Sequence, residues 1–304
     1  MYAIQRPSRS EFIPIRSIRY HVRQWGQPLP GQPPLVLLHG WMDVAASYQF
    51  MVDALAHDRH ILAPDWRGFG QTGSGGADSF WFPDYLADLD FLLNHYAPGQ
   101  AVDLVGHSMG GHVAMLFAGV RPERVRRLVN LEGFGMPATR ASQAPSRLAQ
   151  WMDGLHSLHQ HEMRLKTYPD LRGVAQRLVK TNPRLPQDKA EWLAQHWSAP
   201  TIQDDGTRPW QILGDPAHKL RNPQLFRVDE ALAVYQRITA PTLSVEASDD
   251  SLVRWGQGYT LDEYHERLQS VPNARVAVVQ DAGQMLHHDQ PEALARLIEG
   301  FLAD

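Results

Sequence analysis

The stretch Val102-Asp103-Leu104-Val105-Gly106-His107-Ser108-Met109-Gly110-Gly111 decides how this chain folds. Its first four residues form a short apolar run interrupted only by Asp103, and such a run closed by glycine reads as a buried strand. Met109 to Val120, directly after it, reads as a helix, so strand and helix meet through a turn of a few residues. A turn that sharp strains the backbone of its central residue, Ser108. It is tolerable only if the residues two before and two after are small, as Gly106 and Gly110 are. The turn also lifts the Ser108 hydroxyl clear of the sheet and sets it at a helix N-terminus, where backbone N–H groups favour an anion. A nucleophile and a place for the charge it creates are thereby brought together.

Working outward, the same alternation recurs on both sides. Leu35 to Leu38 ends at His39-Gly40, Ile61 to Ala63 ends at Pro64-Asp65, and Leu128 to Leu131 ends at Glu132-Gly133. Runs apolar on both faces are parallel strands buried between helix layers. Tyr48 to Leu55 and Asp84 to Tyr96 supply helices between them, and a βαβα order implies a doubly wound, mostly parallel α/β sheet. Glu11 to Ile15 and Arg19 to Trp25 read as an antiparallel pair at its edge. The pattern breaks over residues 136–239, which are polar, lack strand-like apolar runs and are punctuated by Pro183, Pro186, Pro200 and Pro209. Helical candidates there are Arg147 to Leu158 and Val174 to Lys180. The core then resumes with Thr242 to Val245, Leu261 to Leu268, Arg275 to Val279 and Glu292 to Leu302. The expected organisation is therefore a core of residues 1–135 and 240–304 with a helical cap, or lid, of 136–239.

The bulk composition narrows the function classes. The 304 residues are 43% hydrophobic and 20% charged, as in a globular protein. A net charge of -4 gives no electrostatic reason to expect nucleic acid or an anionic membrane as partner. There is no cysteine, which excludes disulfides, thiolate catalysis and thiolate metal sites. No segment approaches the ~20 apolar residues of a membrane span, and the first residues lack the apolar run of a signal peptide, so a cytoplasmic location is the default expectation. Oligomeric state is not legible.

Gly106 to Gly111 resembles the nucleophile elbow of the α/β-hydrolase fold superfamily, and the likeness extends along the chain. Leu38-His39-Gly40-Trp41-Met42-Asp43 resembles the family's oxyanion loop, and Asp65-Trp66-Arg67-Gly68-Phe69-Gly70 its D-x-R-G-x-G loop. Those loops, Ala45-Ala46-Ser47 and Asn182-Pro183-Arg184-Leu185 together resemble the serine hydrolase-like and mesoderm-specific-transcript-like branch. The resemblance implies Ser108 as nucleophile and the backbone N–H groups of Trp41 and Met109 as oxyanion donors. It makes His39 a structural residue, and His107 and His112 packing residues or pocket walls. Laying Pro241 to Val245 on the family's strand and following turn places the orienting acid at Asp250. Asp249 takes that role if the register slips by one, and Glu132 occupies the site some relatives use instead.

The base position departs from the family. Relatives read approximately A-G-H-x-x-x-x-E-x-P, where this chain reads Ala282-Gly283-Gln284-Met285-Leu286-His287-His288-Asp289-Gln290-Pro291. Gly283 and Gln290-Pro291 pin the register, so Gln284 stands where the catalytic His should be. An amide has no titratable group and cannot take the serine proton and return it. Three readings of Gln284 compete: a deliberate replacement that traps substrate, a natural slow enzyme or pseudoenzyme, and transfer of the base role to His287 or His288. The resemblance thus implies a serine hydrolase of carboxylic esters or thioesters, impaired at its base, with a ligand-binding pseudoenzyme as the alternative. A cofactor-free oxygenase on this fold also needs a His base, so Gln284 counts against it. No cofactor is implied and no metal is expected, since His156, His159 and His161 come without a carboxylate pattern. The partner is a small-molecule ester or thioester. Trp151, Met152, Leu155, Met163, Trp192, Trp197, Trp210 and Phe226 are candidates for lid packing or for pocket walls, and Phe80 to Pro83 for the same wall.

Overall fold

A strand covered on both faces must alternate its apolar side chains between two cores, and the third strand shows how this chain does so. Val36 and Leu38 join one buried cluster and Leu35 and Leu37 the other. In the computed structural model, which describes residues 1–203, 206–256 and 258–304, eight strands form one sheet. They are β1 (Arg9–Ile15), β2 (Ile18–Trp25), β3 (Leu35–Leu38), β4 (Ile61–Pro64), β5 (Val102–His107), β6 (Val125–Leu131), β10 (Thr242–Ala247) and β11 (Ala274–Val279). β7 (Thr167–Tyr168), β8 (Ser198–Pro200) and β9 (Trp210–Ile212) make a second, three-stranded sheet in the order β7-β9-β8. The large sheet runs β1-β2-β4-β3-β5-β6-β10-β11. β1 and β2 pair antiparallel, as does β2 with β4, and every other pair is parallel.

The helices are α1 (Gln49–Asp53), α2 (Phe82–Tyr96), α3 (Met109–Val120), α4 (Ala144–His159), α5 (Leu171–Thr181), α6 (Gln187–Trp197), α7 (Val228–Tyr235), α8 (Ser251–Trp255), α9 (Leu261–Leu268), α10 (Leu286–Asp289) and α11 (Pro291–Ala303). One face of the sheet is covered by α2, α3 and α9, through Leu89, Leu93, Val113, Phe117 and Tyr264. The other is covered by α1 and α11, through Met51, Val52, Leu294, Ile298 and Phe301. The doubly wound α/β class read from the sequence is the class observed. At about 25 cal/mol per Å², these two apolar layers are the dominant favourable term in holding the sheet.

Between β6 and β10 the chain leaves the sheet and returns. This segment has a core of its own, in which Tyr168, Val174, Leu178, Leu185 and Leu193 pack on Val44, Ala46 and Phe50. It is mainly helical but also contains the β7-β9-β8 sheet, which the sequence did not announce. Strands of two or three residues are too short to show a period of two. α7, at the end of the segment, contributes Tyr235 to the core shared by α2, α3 and α9. The segment leaves from the carboxyl end of β6, the edge at which open α/β sheets bind ligands, and returns through α7 to the amino end of β10.

Candidate active site

Ser108 sits between the last residue of β5 and the first of α3 with φ 50° and ψ −114°, a conformation rare outside glycine. Strain of this kind costs of order 1–3 kcal/mol and persists only where the surroundings enforce it. Here the Ser108 N–H donates to the Leu131 carbonyl at 2.8 Å and its carbonyl accepts the His112 N–H at 3.0 Å. The flanking glycines are required by close approach. A Cβ on Gly106 would stand 2.3 Å from the Gly110 oxygen, and one on Gly110 would stand 2.2 Å from the Leu38 oxygen. Ser108 is therefore half-buried at the mouth of a tightly closed turn.

Ser108 lines a cavity of about 1530 Å³. Trp41, Met109, Glu132 and Gln284 line it from the sheet side, and Leu178, Leu185, Trp197 and Phe226 from the segment between β6 and β10. Of the apolar residues expected there, Trp197 and Phe226 reach the cavity, and Phe80, Phe82 and Pro83 join them. Trp192 instead packs edge-on against Tyr2 and Phe50, Met152 is exposed, and Trp151 donates to the Ser79 hydroxyl at 3.1 Å. The loop after β3 turns through Met42, a non-glycine residue with φ 56°. As the first residue of α3, Met109 has an N–H with no acceptor inside its helix. His39 is fully buried and structural: Nδ1 bonds the Gly40 carbonyl at 2.7 Å and Nε2 accepts the Trp66 N–H at 2.9 Å.

Gln284 follows Gly283 in the loop between β11 and α10, and its carbonyl accepts from His107 Nε2 at 2.7 Å. Burial holds His107 down at about 4, so it is neutral at ordinary pH. His287 and His288 face Ser47, whose hydroxyl lies 3.2 and 2.6 Å from their Nε2 atoms. Both are buried, and burial depresses both, His288 to about 3. Their Nε2 atoms are thus engaged with Ser47, while His287 Nδ1 has no hydrogen-bond partner among the described residues.

The candidate acids are placed differently. Asp250 caps α8, its Oδ1 accepting the N–H groups of Leu252 and Val253 at 2.9 and 3.3 Å, and it is exposed. Asp249 is held by Arg184 at 2.8 and 3.2 Å. Glu132 is 2% exposed, has φ 54° and lines the cavity. Its Oε1 accepts the Ala247 N–H at 2.7 Å, while Oε2 has no hydrogen-bond partner among the described residues. Burial raises its carboxyl to about 7; the Ser251 hydroxyl and the Ala247 N–H oppose the rise, and the negative charges of Glu246 and Asp250 add to it.

Two contacts explain the Asn182-Pro183-Arg184-Leu185 motif. Besides the Arg184–Asp249 pair, Asn182 Nδ2 donates to Asp289 Oδ1 at 2.6 Å, and Asp289 Oδ2 accepts the Gly283 N–H at 2.8 Å. The motif thereby braces the loops that carry Asp250 and Gln284.

One group among the described residues has the spacing of a metal site, the buried Asp43, His107 and His287, each with a donor atom within 4.8 Å of the others. Burial raises the Asp43 carboxyl to about 7. His156, His159 and His161 join no such group, and His159 pairs with Asp78 at 2.9 Å. No described helix is long and apolar enough to cross a membrane.

The family model described as alpha/beta hydrolase fold matches residues 33–291. The chain is 28% identical to a serine hydrolase-like protein of Danio rerio, covering 98% of this chain and 89% of that one. It is 24% identical to a putative carbamate hydrolase of Stutzerimonas stutzeri, covering 93% and 97%. A hypothetical protein of Pseudomonas aeruginosa PAO1 has a solved structure that superposes with a TM-score of 0.81 at 25% identity, covering 97% and 99%.

Proposed function

Because the chain belongs to the α/β hydrolase fold family, we propose that it is a serine hydrolase of carboxylic esters and thioesters, slowed by Gln284. The single observation that carries this reading is the strained Ser108, raised at a helix N-terminus into a large, mainly apolar cavity. The residues of the cavity support named roles. Ser108 Oγ attacks the substrate carbonyl, and the N–H groups of Trp41 and Met109 receive the oxyanion, a donor of this kind being worth ~10²–10³ in rate. The likeness to a serine hydrolase-like protein and to a putative carbamate hydrolase supports attack at a carbonyl carbon. Asp250 is the carboxylate assigned to orient an imidazole at position 284, because its Oδ1 takes both capping bonds and leaves Oδ2 free of hydrogen bonds among the described residues.

Gln284 cannot protonate a leaving group, which makes leaving-group acidity decisive. A thiolate, with pKa ~8.5, departs unprotonated far more readily than an alkoxide. Thioesters and activated esters are accordingly the preferred substrates. Gln284 equally favours a second reading, a pseudoenzyme that binds ligand without chemistry.

The experiment is labelling with a fluorophosphonate, mass-spectrometric location of the adduct, and steady-state hydrolysis of a matched panel of p-nitrophenyl esters, thioesters and alkyl esters. The adduct is expected on Ser108, and hydrolysis of the first two classes is expected to vanish in Ser108→Ala. Hydrolysis undiminished in Ser108→Ala would refute the assignment. No hydrolysis in the parent and no gain in Gln284→His would establish the pseudoenzyme.

A further inference from the structure

The charged groups that line the cavity are divided between its two sides. From the sheet side no lysine or arginine reaches it among the described residues. From the segment between β6 and β10 come Arg147 on α4, Lys166, Arg177 on α5, Lys219, Arg221 and Arg227. The carboxylates lining the same space, among the described residues, are Asp43, Glu132 and Glu230. Glu230 acts on Arg227, which already pairs with Asp229 at 3.1 Å. Burial pushes Asp43 and Glu132 up to about 7, so neither is a full counter-charge at neutral pH. Five cations are left, and none of them forms an ion pair among the described residues. The whole chain carries a net charge of -4, so this positive lining is a local feature and not a share of a general excess.

Arg147 and Arg221 carry the argument furthest. Arg147 Nη1 donates to the Asn222 carbonyl at 2.9 Å and to the Gln224 carbonyl at 3.4 Å, which fixes its guanidinium beside the loop that holds Arg221. Its Nε is shielded from solvent and has no hydrogen-bond partner among the described residues. Burial, and after it the positive charge of Arg221, lower the pKa of Arg147 from its ordinary value. A guanidinium presents five donors in a rigid fork that matches carboxylate and phosphate. Two such cations held near one another repel, and an anion between them turns that repulsion into attraction. The cavity, at about 1530 Å³, also exceeds the ~300–1,000 Å³ of ordinary ligand pockets. It has room for a charged extension beyond a carbonyl held at Ser108.

We infer that the segment between β6 and β10 carries an anion subsite, centred on Arg147 and Arg221 and widened by Lys166, Arg177 and Lys219, that selects esters and thioesters bearing a carboxylate or phosphate group. The inference rests on the serine-hydrolase reading above and names the substrate class for it. The reacting carbonyl lies at Ser108, against the side of the cavity that has no cation, and the anionic end reaches the segment. A cleft lined by one sign of charge raises the local concentration of an oppositely charged substrate, and salt screens the effect. The anion is carried either on the acyl chain, as a terminal carboxylate, or on the leaving group, as the phosphates of a carrier thiol. The chemistry that recognises it is the same in both cases.

The test uses two matched pairs: mono-p-nitrophenyl suberate against its methyl ester, and hexanoyl-coenzyme A against the N-acetylcysteamine thioester of hexanoate. Each compound is measured as kcat/KM in the full chain and, in Ser108→Ala, as Kd by calorimetry. In at least one pair the anionic member is expected to be favoured at least tenfold, and the pair that shows it identifies the anion as carboxylate or phosphate. The preference should fall at least threefold between about 20 and 300 mM NaCl. It should fall at least tenfold when Arg147→Gln and Arg221→Gln are combined. Arg147 holds two backbone carbonyls, so if the double variant does not fold, Arg221→Gln alone, at an exposed residue, should lower the preference at least threefold. Arg172→Gln removes an exposed cation of α5 that does not line the cavity and should leave the preference unchanged. A preference below tenfold in both pairs, a fall of less than threefold in Arg221→Gln, or an equal fall in Arg172→Gln overturns the inference. Loss of neutral-ester hydrolysis in Ser108→Ala keeps the hydrolase reading in each of those cases. A preference in Kd with no hydrolysis in the parent sinks the hydrolase reading and leaves the subsite standing.

Discussion

Replacing Gln284 by histidine should raise turnover about 10³-fold. The backbone at this position is already fixed, since the bond from His107 Nε2 goes to the Gln284 carbonyl and Gly283 is held by Asp289. A substitution confined to the side chain leaves both bonds intact, and the imidazole enters the cavity where the amide now lies. Removing the histidine of an intact triad costs on the order of 10⁶ in kcat. A substitute proton acceptor in the cavity recovers ~10²–10⁴ of that loss, so the remaining gap centres on about 10³, or ~4 kcal/mol of activation free energy. KM should change little, because the base acts mainly in the transition state. Initial rates with p-nitrophenyl butyrate and a matched thioester between pH 5 and pH 9 measure the gain. Ser108→Ala combined with Gln284→His is the blank for hydrolysis by the imidazole alone. A gain below tenfold, in a variant that melts like the parent and still labels at Ser108, would refute the reasoning.

With His in place at 284, Asp250→Asn should cost ~10²–10⁴ in kcat and Glu132→Gln less than tenfold; steady-state kinetics of the variants checks this, and a larger loss from Glu132→Gln would move the orienting role to Glu132. Gly110→Ala should destabilise the fold by about 1–3 kcal/mol, because the added Cβ meets the Leu38 oxygen at 2.2 Å. Urea denaturation reads this directly, and an unchanged midpoint would contradict the tight turn. Stability should also fall as pH drops from ~6.5 toward 4. Burial holds His107 and His112 at about 4 and His288 at about 3, so the unfolded chain takes up protons first. Each imidazole contributes ~1.4 kcal/mol per pH unit in that interval. Glu132 and Asp43, raised to about 7, act in the opposite sense between ~4 and 7 and offset part of it. Urea midpoints at pH 7 and pH 5 test the sum, and equal values would count against these burials.

The sheet was legible because its strands are buried on both faces and announce themselves as continuous apolar runs, and α3 was legible to the residue because a glycine-flanked serine starts it. The short strands of the small sheet carry no such signal. α6 was missed for a different reason: Pro183 and Pro186 read as punctuation, although Pro186 is the cap residue just before that helix, where a missing N–H breaks no helical hydrogen bond. At the site, Ser108 and Gln284 followed from local patterns, and both line the same cavity. What local pattern could not convey is how Glu132 and Asp250 differ. Each is an acidic residue at a strand end in the sequence. Only the pairing of β6 with β5 and β10 buries one of them, twists its backbone to φ 54° and lifts its carboxyl to about 7. Asn182 and Arg184 were legible as a motif but not as braces, since their partners are 107 and 65 residues away.

Those braces limit how substrate gets in. A flap hinged only at its two ends would swing without consequence for the chemistry beneath it. Here, lifting the segment between β6 and β10 at Asn182 and Arg184 pulls on Asp289 and Asp249, and through Asp289 on the Gly283 N–H that steadies position 284. Were the segment to lift for a ligand to enter, the contacts that steady position 284 would part with it, so that entry and any reaction at Ser108 would fall at different times.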